Sequence, residues 1–195
     1  MRVFDFDNTI YDGESGLDIF IWFFKLDPWG LIRYVPNFSV CFIKYKMRKI
    51  TIDEVLSKYG LFLKEYCQKV ENITDEFYKF WDVNQKKIKQ LYYDIHEEDD
   101  IIISACPECL LSIICERLGV NDFMGSDVDP VSGEIRMINY HDEKVKNFYI
   151  KYGDRRINDF YTDSFSDKPM MDISDNVFLV KGSKIRQIKK DGKEI

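Results

Sequence analysis

Arg2-Val3-Phe4-Asp5-Phe6-Asp7-Asn8-Thr9 is an apolar run that ends in two carboxylates. Read as a short buried strand over residues 2–6, it sets Asp5 and Asp7 at alternate positions and therefore on one side. The carboxyl end of such a strand is the edge at which α/β sheets bind ligands. Two close carboxylates repel each other, so a cation is expected between them. With 22 Asp and 4 Thr in 195 residues, chance yields an Asp-x-Asp-x-Thr match about 0.05 times per chain. Its position directly after the first apolar strand makes the match more specific than that figure.

Working outward, Ile101-Ile-Ile-Ser104 repeats the form of an apolar strand with a polar end, ahead of a helix from Pro107 to Leu118 that Gly119 stops. Val128 to Arg136 reads as a hairpin with a Pro/Gly turn, and Asp142 to Tyr152 as a helix stopped by Gly153. Strands follow over residues 157–162 and 176–181, with 184–188 as an edge strand before a polar tail. Residues 15 to about 97 read as helical throughout. Asp27-Pro28 caps and starts one helix, and Thr51-Ile-Asp-Glu54 forms a capping box for another. Ile52, Val55, Leu56, Tyr59, Leu63, Tyr66 and Cys67 then keep a helical stripe. The expected fold is α/β: a doubly wound, mostly parallel, Rossmann-like sheet with an α-helical cap inserted after the first strand. The catalytic core is expected over 1–14 and 98–195, and the cap over 15–97.

The chemistry-bearing residues collect at strand ends. Asp163-Ser-Phe-Ser-Asp167 follows the strand 157–162 and adds two carboxylates at the same sheet edge. Ser104 ends its strand just before a helix whose first N–H groups suit a phosphate, and Lys144 sits near the start of its own helix. Lys146, two residues on, lies nearly opposite on that helix, so one of the two lysines points into the site, and Lys144 is preferred because it opens the helix. A hydroxyl, an ammonium and four carboxylates make a phosphoryl-transfer site.

In this order, Asp5-Phe-Asp7-Asn-Thr9, Ser104, Lys144 and Asp163-Ser-Phe-Ser-Asp167 resemble the four motifs of the haloacid dehalogenase-like superfamily, in its phosphoserine-phosphatase-like branch. The resemblance implies that Asp5 is a nucleophile forming an aspartyl-phosphate, and that Asp7 protonates the leaving oxygen and then deprotonates water. It implies Mg²⁺ held by Asp5, the backbone carbonyl of Asp7 and Asp163. Ser104 and Lys144 would neutralise phosphoryl oxygens, Asp167 would orient Lys144 or a metal-bound water, and Thr9 would brace the loop. Glu14, nine residues past Asp5, matches a substrate-amine-binding glutamate of that branch, although an acid at a helix start is also an ordinary cap feature. The chain departs from the pattern where Ala105-Cys106-Pro107 and Ser164-Phe165-Ser166 replace glycine-rich turns, which leaves the substrate open.

Other features read more simply. Cys106-Pro-Glu-Cys109 has a C-x-x-C form without a second cysteine pair, so it is read as part of the phosphate loop rather than a zinc or redox centre, with a lowered Cys106 pKa as the alternative. His96 and His141 are expected to be solvated surface residues. Phe20-Ile-Trp-Phe-Phe24, Trp29, Tyr34, Phe38 and Phe42 suit the core of a small helical bundle. That is the commoner cause of such stripes; with Arg33, Lys44, Lys46, Arg48 and Lys49 beside them, they also suit a lipid surface or an amphiphilic phosphate ester.

The net charge of −6 argues against a nucleic-acid partner. Five cysteines, and an opening MRVFDFDNTI without a charged-then-apolar leader, suit a cytoplasmic location. The expected function is a Mg²⁺-dependent phosphomonoester phosphatase for a small or amphiphilic substrate. A phosphomutase, or a catalytically quiet module docking by its aromatic cap, is the alternative.

Overall fold

The computed structural model describes residues 1–47 and 49–195, without the side chains of 45, 46, 52, 53, 55–59 and 61. β1 (Arg2–Phe4) runs parallel between β2 (Ile101–Pro107) and β5 (Ile157–Thr162). β3 (Asp122–Val128) joins the far side of β2 and β6 (Ser174–Lys181) that of β5, both again parallel. Antiparallel strands close the edges, β4 (Ile135–Met137) beside β3, and β7 (Lys184–Lys190) and β8 (Lys193–Glu194) beyond β6. The order is β4-β3-β2-β1-β5-β6-β7-β8, with β1 in the middle.

Side chains alternate across the sheet, and both sets are apolar. Val3 lies level with Ile101 and Phe160. This face packs under α8 (Asp142–Tyr152) and α9 (Lys168–Asp172) through Phe148, Met170 and Met171. Phe4 and Ile102 face the other way, in the cluster that holds Leu110, Leu111 and Ile114 of α7 (Glu108–Leu118). Each fully buried side chain of this kind stabilises the fold by roughly 1.5–3 kcal/mol. A sheet covered on both faces explains why the strands read as apolar runs rather than alternating ones.

The insert between β1 and β2 is helical: α1 (Ser15–Leu26), α2 (Pro28–Leu31), α3 (Val35–Lys46), α4 (Ile52–Cys67), α5 (Ile73–Asn84) and α6 (Gln90–Ile95). Both expected caps form. Asp27 Oδ1 accepts from Gly30 N at 2.9 Å, and Thr51 and Glu54 bond each other's backbone N–H. Phe20 stacks on Phe38 at 3.9 Å, and Phe23 meets Tyr66 edge-on at 5.0 Å, so part of the aromatic density is bundle core. Trp29, by contrast, is 84% exposed. On the expected α4 stripe, Tyr66 and Cys67 are buried, whereas the side chains of Ile52, Val55, Leu56 and Tyr59 lie outside the described residues. So do the Lys46 side chain and Arg48. Arg33 pairs with Glu65, and Lys44 with Glu54. The insert is tied to the sheet layer through α5, whose Trp81 indole N–H donates to Leu110 O of α7 at 2.8 Å.

Several expectations change in detail. The first strand stops at Phe4 rather than Phe6, because Phe6 O accepts the N–H groups of Thr9, Ile10 and Tyr11 and draws the chain into a tight turn. Asp7 thus reaches the site by a turn and not by strand alternation. The expected hairpin is the end of a longer element: β3 begins at Asp122 and is a central parallel strand before it pairs with β4. Pro107 ends β2 in an extended conformation and α7 starts at Glu108. The polar tail is held as β8, so β7 is not the edge. His96 is half-buried against Tyr92 and Asp100, and His141 is half-buried at the start of α8. Their neighbours, rather than solvent alone, hold both rings. Among the described residues, no helix is long and apolar enough to cross a membrane.

Candidate active site

The carboxyl ends of β1, β2 and β5 and the start of α8 surround a polar cavity of about 120 Å³. Asp5, Asp7, Glu14, Lys144, Asp163 and Asp167 all line it, so the structure brings together six of the residues singled out from sequence. Thr9 and Ser104 stand behind its wall. Thr9 Oγ1 donates to Asp5 Oδ2 at 3.4 Å from a buried position. Ser104 is 1% exposed, and its Oγ accepts from Cys106 N at 3.0 Å, inside the irregular stretch of β2 that presents Ala105 to the cavity.

Lys144 is the hub. Its Nζ donates to Asp5 Oδ1 and to Asp167 Oδ1, both at 2.8 Å, with all three side chains buried. Burial opposes its charge, but the attraction of Asp167 and Asp5 and their hydrogen bonds outweigh it, and the ammonium is held above its ordinary pKa. Lys146 points away and pairs with Glu143 at the surface, which decides between the two lysines. Asp167 is fixed from behind by Thr162 Oγ1 at 2.9 Å.

The two carboxylates of the first turn differ in setting. Burial raises Asp5, Lys144 opposes that, and Asp167 and Asp163 push it further up. Burial also lifts Asp7, and Glu14 adds to it; the Ser15 N–H, 2.7 Å from Oδ1, pulls the other way, leaving Asp7 at about 7. A carboxyl in that range exchanges a proton at neutral pH.

Sequence reading missed several supports. Asn8 sits at φ 57, a backbone state that asparagine tolerates better than most residues, and its Nδ2 holds Glu14 Oε1 at 2.5 Å. Lys89, just before α6, donates to the Asn8 carbonyl and is a second cation beneath the turn. Asn139 ties the Ser104 and Met124 carbonyls together across β2 and β3. Tyr140, Ser164 and Ser166 complete the polar wall. Only the positive-φ tolerance of Asn8 left a signal in the sequence. Cys106 departs from the alternative of a lowered pKa, since burial first, and then Asp7, push its thiol well up; burial raises Cys109 to about 12.

As a metal site, the donor set is hard oxygen. Among the described residues, no three His, Cys, Asp or Glu side chains gather closely enough to hold an ion by themselves. The expected set asks for only two side chains, Asp5 and Asp163, with the Asp7 carbonyl. Asp167 and Asp163 both disfavour the charge of Asp5, a condition that a small divalent cation relieves, so this hard-oxygen donor set fits Mg²⁺.

Comparison with known proteins bears on the fold. No curated protein matches the chain. A protein of unknown function from Bordetella pertussis Tohama I superposes with a TM-score of 0.70 at 15% identity, covering 88% of this chain and 85% of that one. A phosphoserine phosphohydrolase-like protein from Francisella tularensis subsp. tularensis SCHU S4 gives 0.59 at 13% identity, over 91% and 86%. A HAD family hydrolase from Salmonella enterica subsp. enterica serovar Typhi gives 0.56 at 12% identity, over 89% of this chain and 59% of that one. At these identities the likeness is one of fold. The haloacid dehalogenase-like hydrolase model matches residues 3–172, from β1 through α9 and so across every motif discussed above. The chain belongs to the haloacid dehalogenase-like hydrolases.

Proposed function

We propose that this protein is a Mg²⁺-dependent phosphomonoester phosphatase acting on small or amphiphilic substrates through an aspartyl-phosphate, in the phosphoserine-phosphatase-like branch of the superfamily. The observation that carries the reading is Lys144 Nζ bridging Asp5 and Asp167 inside a cavity that also holds Asp7 and Asp163. In this reading, an Asp5 carboxylate oxygen attacks phosphorus while the ester oxygen leaves with the proton of Asp7. Asp7 then takes a proton from the water that releases phosphate and restores Asp5. Lys144 balances charge on the transferring phosphoryl group, with Asp167 and Thr162 holding it in line. Ser104 acts one step removed, through the Cys106 N–H. Mg²⁺, held by Asp5, Asp163 and the Asp7 carbonyl, supplies further neutralisation of the phosphoryl oxygens when bound.

The cap, taken as residues 15–97, covers the carboxyl edge of the sheet and limits water there. A lipid surface is a further partner in this reading. It is supported by exposed Trp29, Val40, Ile43 and Met47 in a stretch that carries Lys25 and Lys49. Sedimentation with anionic vesicles tests that contact, and equal recovery with and without vesicles removes it. A cytoplasmic location belongs to the same proposal, supported by five free thiols.

The deciding experiment is release of inorganic phosphate from p-nitrophenyl phosphate with Mg²⁺. Turnover that disappears in Asp5→Asn supports the reading; no phosphate released from this ester, with Mg²⁺ and pure wild-type chain, would overturn it.

A further inference from the structure

Beside the polar cavity lies a second one of about 250 Å³, and the two share Asp7, Glu14, Ala105 and Tyr140 as a common wall. Away from that wall, its side-chain lining is carbon and thiol apart from the hydroxyls of Tyr66 and Ser126. Rings of Phe20, Phe23, Phe38, Phe62, Tyr66 and Phe77 come from the cap. Cys109 and Leu110 of α7, with Val128 and Ile135 of the β3–β4 hairpin, come from the other side. The Ser126 hydroxyl at this lining is already engaged, donating to Ala105 O at 2.9 Å and accepting from Asn139 N at 3.0 Å.

Charge narrows the occupant further. Among the described residues lining either cavity, Lys144 is the one basic side chain, and Asp5 and Asp167 hold it. A substrate carboxylate would meet Asp7 and Glu14 at the wall with no cation to pair with, and beyond the wall the described lining offers no charged side chain to a group of either sign. A sugar or amino-acid group would lose hydrogen bonds to water against this lining and regain few.

We infer that the 250 Å³ cavity is the binding site for the alcohol part of the substrate, and that this part is an uncharged aliphatic or aryl-alkyl group. An apolar cavity of ~150 Å³ takes one benzene, so this one has room for on the order of ten carbon atoms. With the phosphate among Asp5, Lys144 and Asp163, the ester oxygen lies at the shared wall beside Asp7, and the tail runs on between α1, α3, α4, α5 and the hairpin. The inference rests on the phosphatase reading for the place of the phosphate; the cavity and its lining stand independently of it.

The test pairs turnover with binding on the full chain with Mg²⁺. Hydrolysis of n-alkyl phosphates from ethyl to dodecyl, below their micelle concentrations, should rise in kcat/KM by up to about threefold to fourfold per methylene and level off near ten carbons. Calorimetric titration with non-hydrolysable ethylphosphonate and decylphosphonate should show the longer one binding at least a hundredfold tighter. Cys109→Phe, which narrows the cavity, should lower the decyl-to-ethyl preference tenfold or more. Short esters hydrolysed with no dependence on chain length, together with equal phosphonate affinities, would overturn the cavity assignment and leave the phosphatase reading intact. Tight decylphosphonate binding without turnover of any ester would do the reverse. Phosphoserine surpassing every alkyl ester would also overturn it.

Discussion

Lys144 Nζ lies 2.8 Å from Asp5 Oδ1, although the two residues are 139 positions apart in the chain. The pair joins the first turn after β1 to the first turn of α8, and it makes charge balance in the cavity depend on the whole sheet being assembled. Replacing Lys144 by Met leaves Asp5 and Asp167 buried without their shared cation. We expect kcat to fall by about 10²-fold or more and stability to drop by up to ~3–5 kcal/mol, read from phosphate release and urea unfolding. Lys146→Met should stay within about twofold of wild type, since that side chain is solvated. Equal losses in both variants would remove Lys144 from the site.

Asp5→Asn keeps the shape of the side chain and removes its nucleophilic oxygen. Acid quenching after a pulse of labelled substrate should trap phosphate on the wild-type chain and none on the variant. Retention of more than a few per cent of activity in pure Asp5→Asn would falsify the covalent route.

Activity should vanish in excess chelator and return with Mg²⁺, while Ca²⁺ inhibits because its larger and looser oxygen shell suits the site less well. Asp163→Asn should raise the Mg²⁺ concentration needed for half-maximal rate. Full activity in chelator would rule out the metal assignment.

The pKa of about 7 at Asp7 predicts the shape of the pH profile. A general acid must be protonated to give its proton, so the leaving-group step should slow as pH rises through that region. Glu14 contributes to the upward shift, after burial, by placing a negative charge nearby. Glu14→Gln keeps an acceptor for Asn8 Nδ2 but removes that charge, which favours ionised Asp7 and moves the falling limb to lower pH. A limb that stays in place in the variant would show that Glu14 does not tune Asp7.

Gly133, at φ 71 in the β3–β4 turn, lies against the cap: a Cβ there would stand 2.3 Å from the carbonyl carbon of Leu63 on α4. Gly133→Ala forces both a strained backbone and a backbone clash, so a loss of about 1–3 kcal/mol is expected by urea titration. Unchanged stability would mean that the hairpin and α4 separate easily in solution.

Much of this protein was legible before its structure. The strand class follows from apolar runs too continuous for a one-sided sheet, and the helical insert from the Asp27 and Thr51 caps, because these signals depend on a few adjacent residues. That Asp5, Asp163 and Lys144 come to one cavity was likewise legible, since each stands beside the end of an element that the sequence marks; Asp7 comes there by a turn that the strand pattern did not show. Contacts between distant segments carried no such mark. Lys144 was preferred to Lys146 for its place at the start of α8, but its bond to Asp5 depends on how α8 is rotated against the sheet. That Ser104 turns its hydroxyl to Cys106 N depends on the irregular register of β2 against β3, and the Lys89 bond beneath Asn8 on how the end of the insert returns to β1. The aromatic residues of the cap looked alike in sequence. Tertiary packing alone separates Phe20, which stacks on Phe38, from Trp29, which faces solvent, because burial is a property of what lies opposite a side chain and not of the side chain itself.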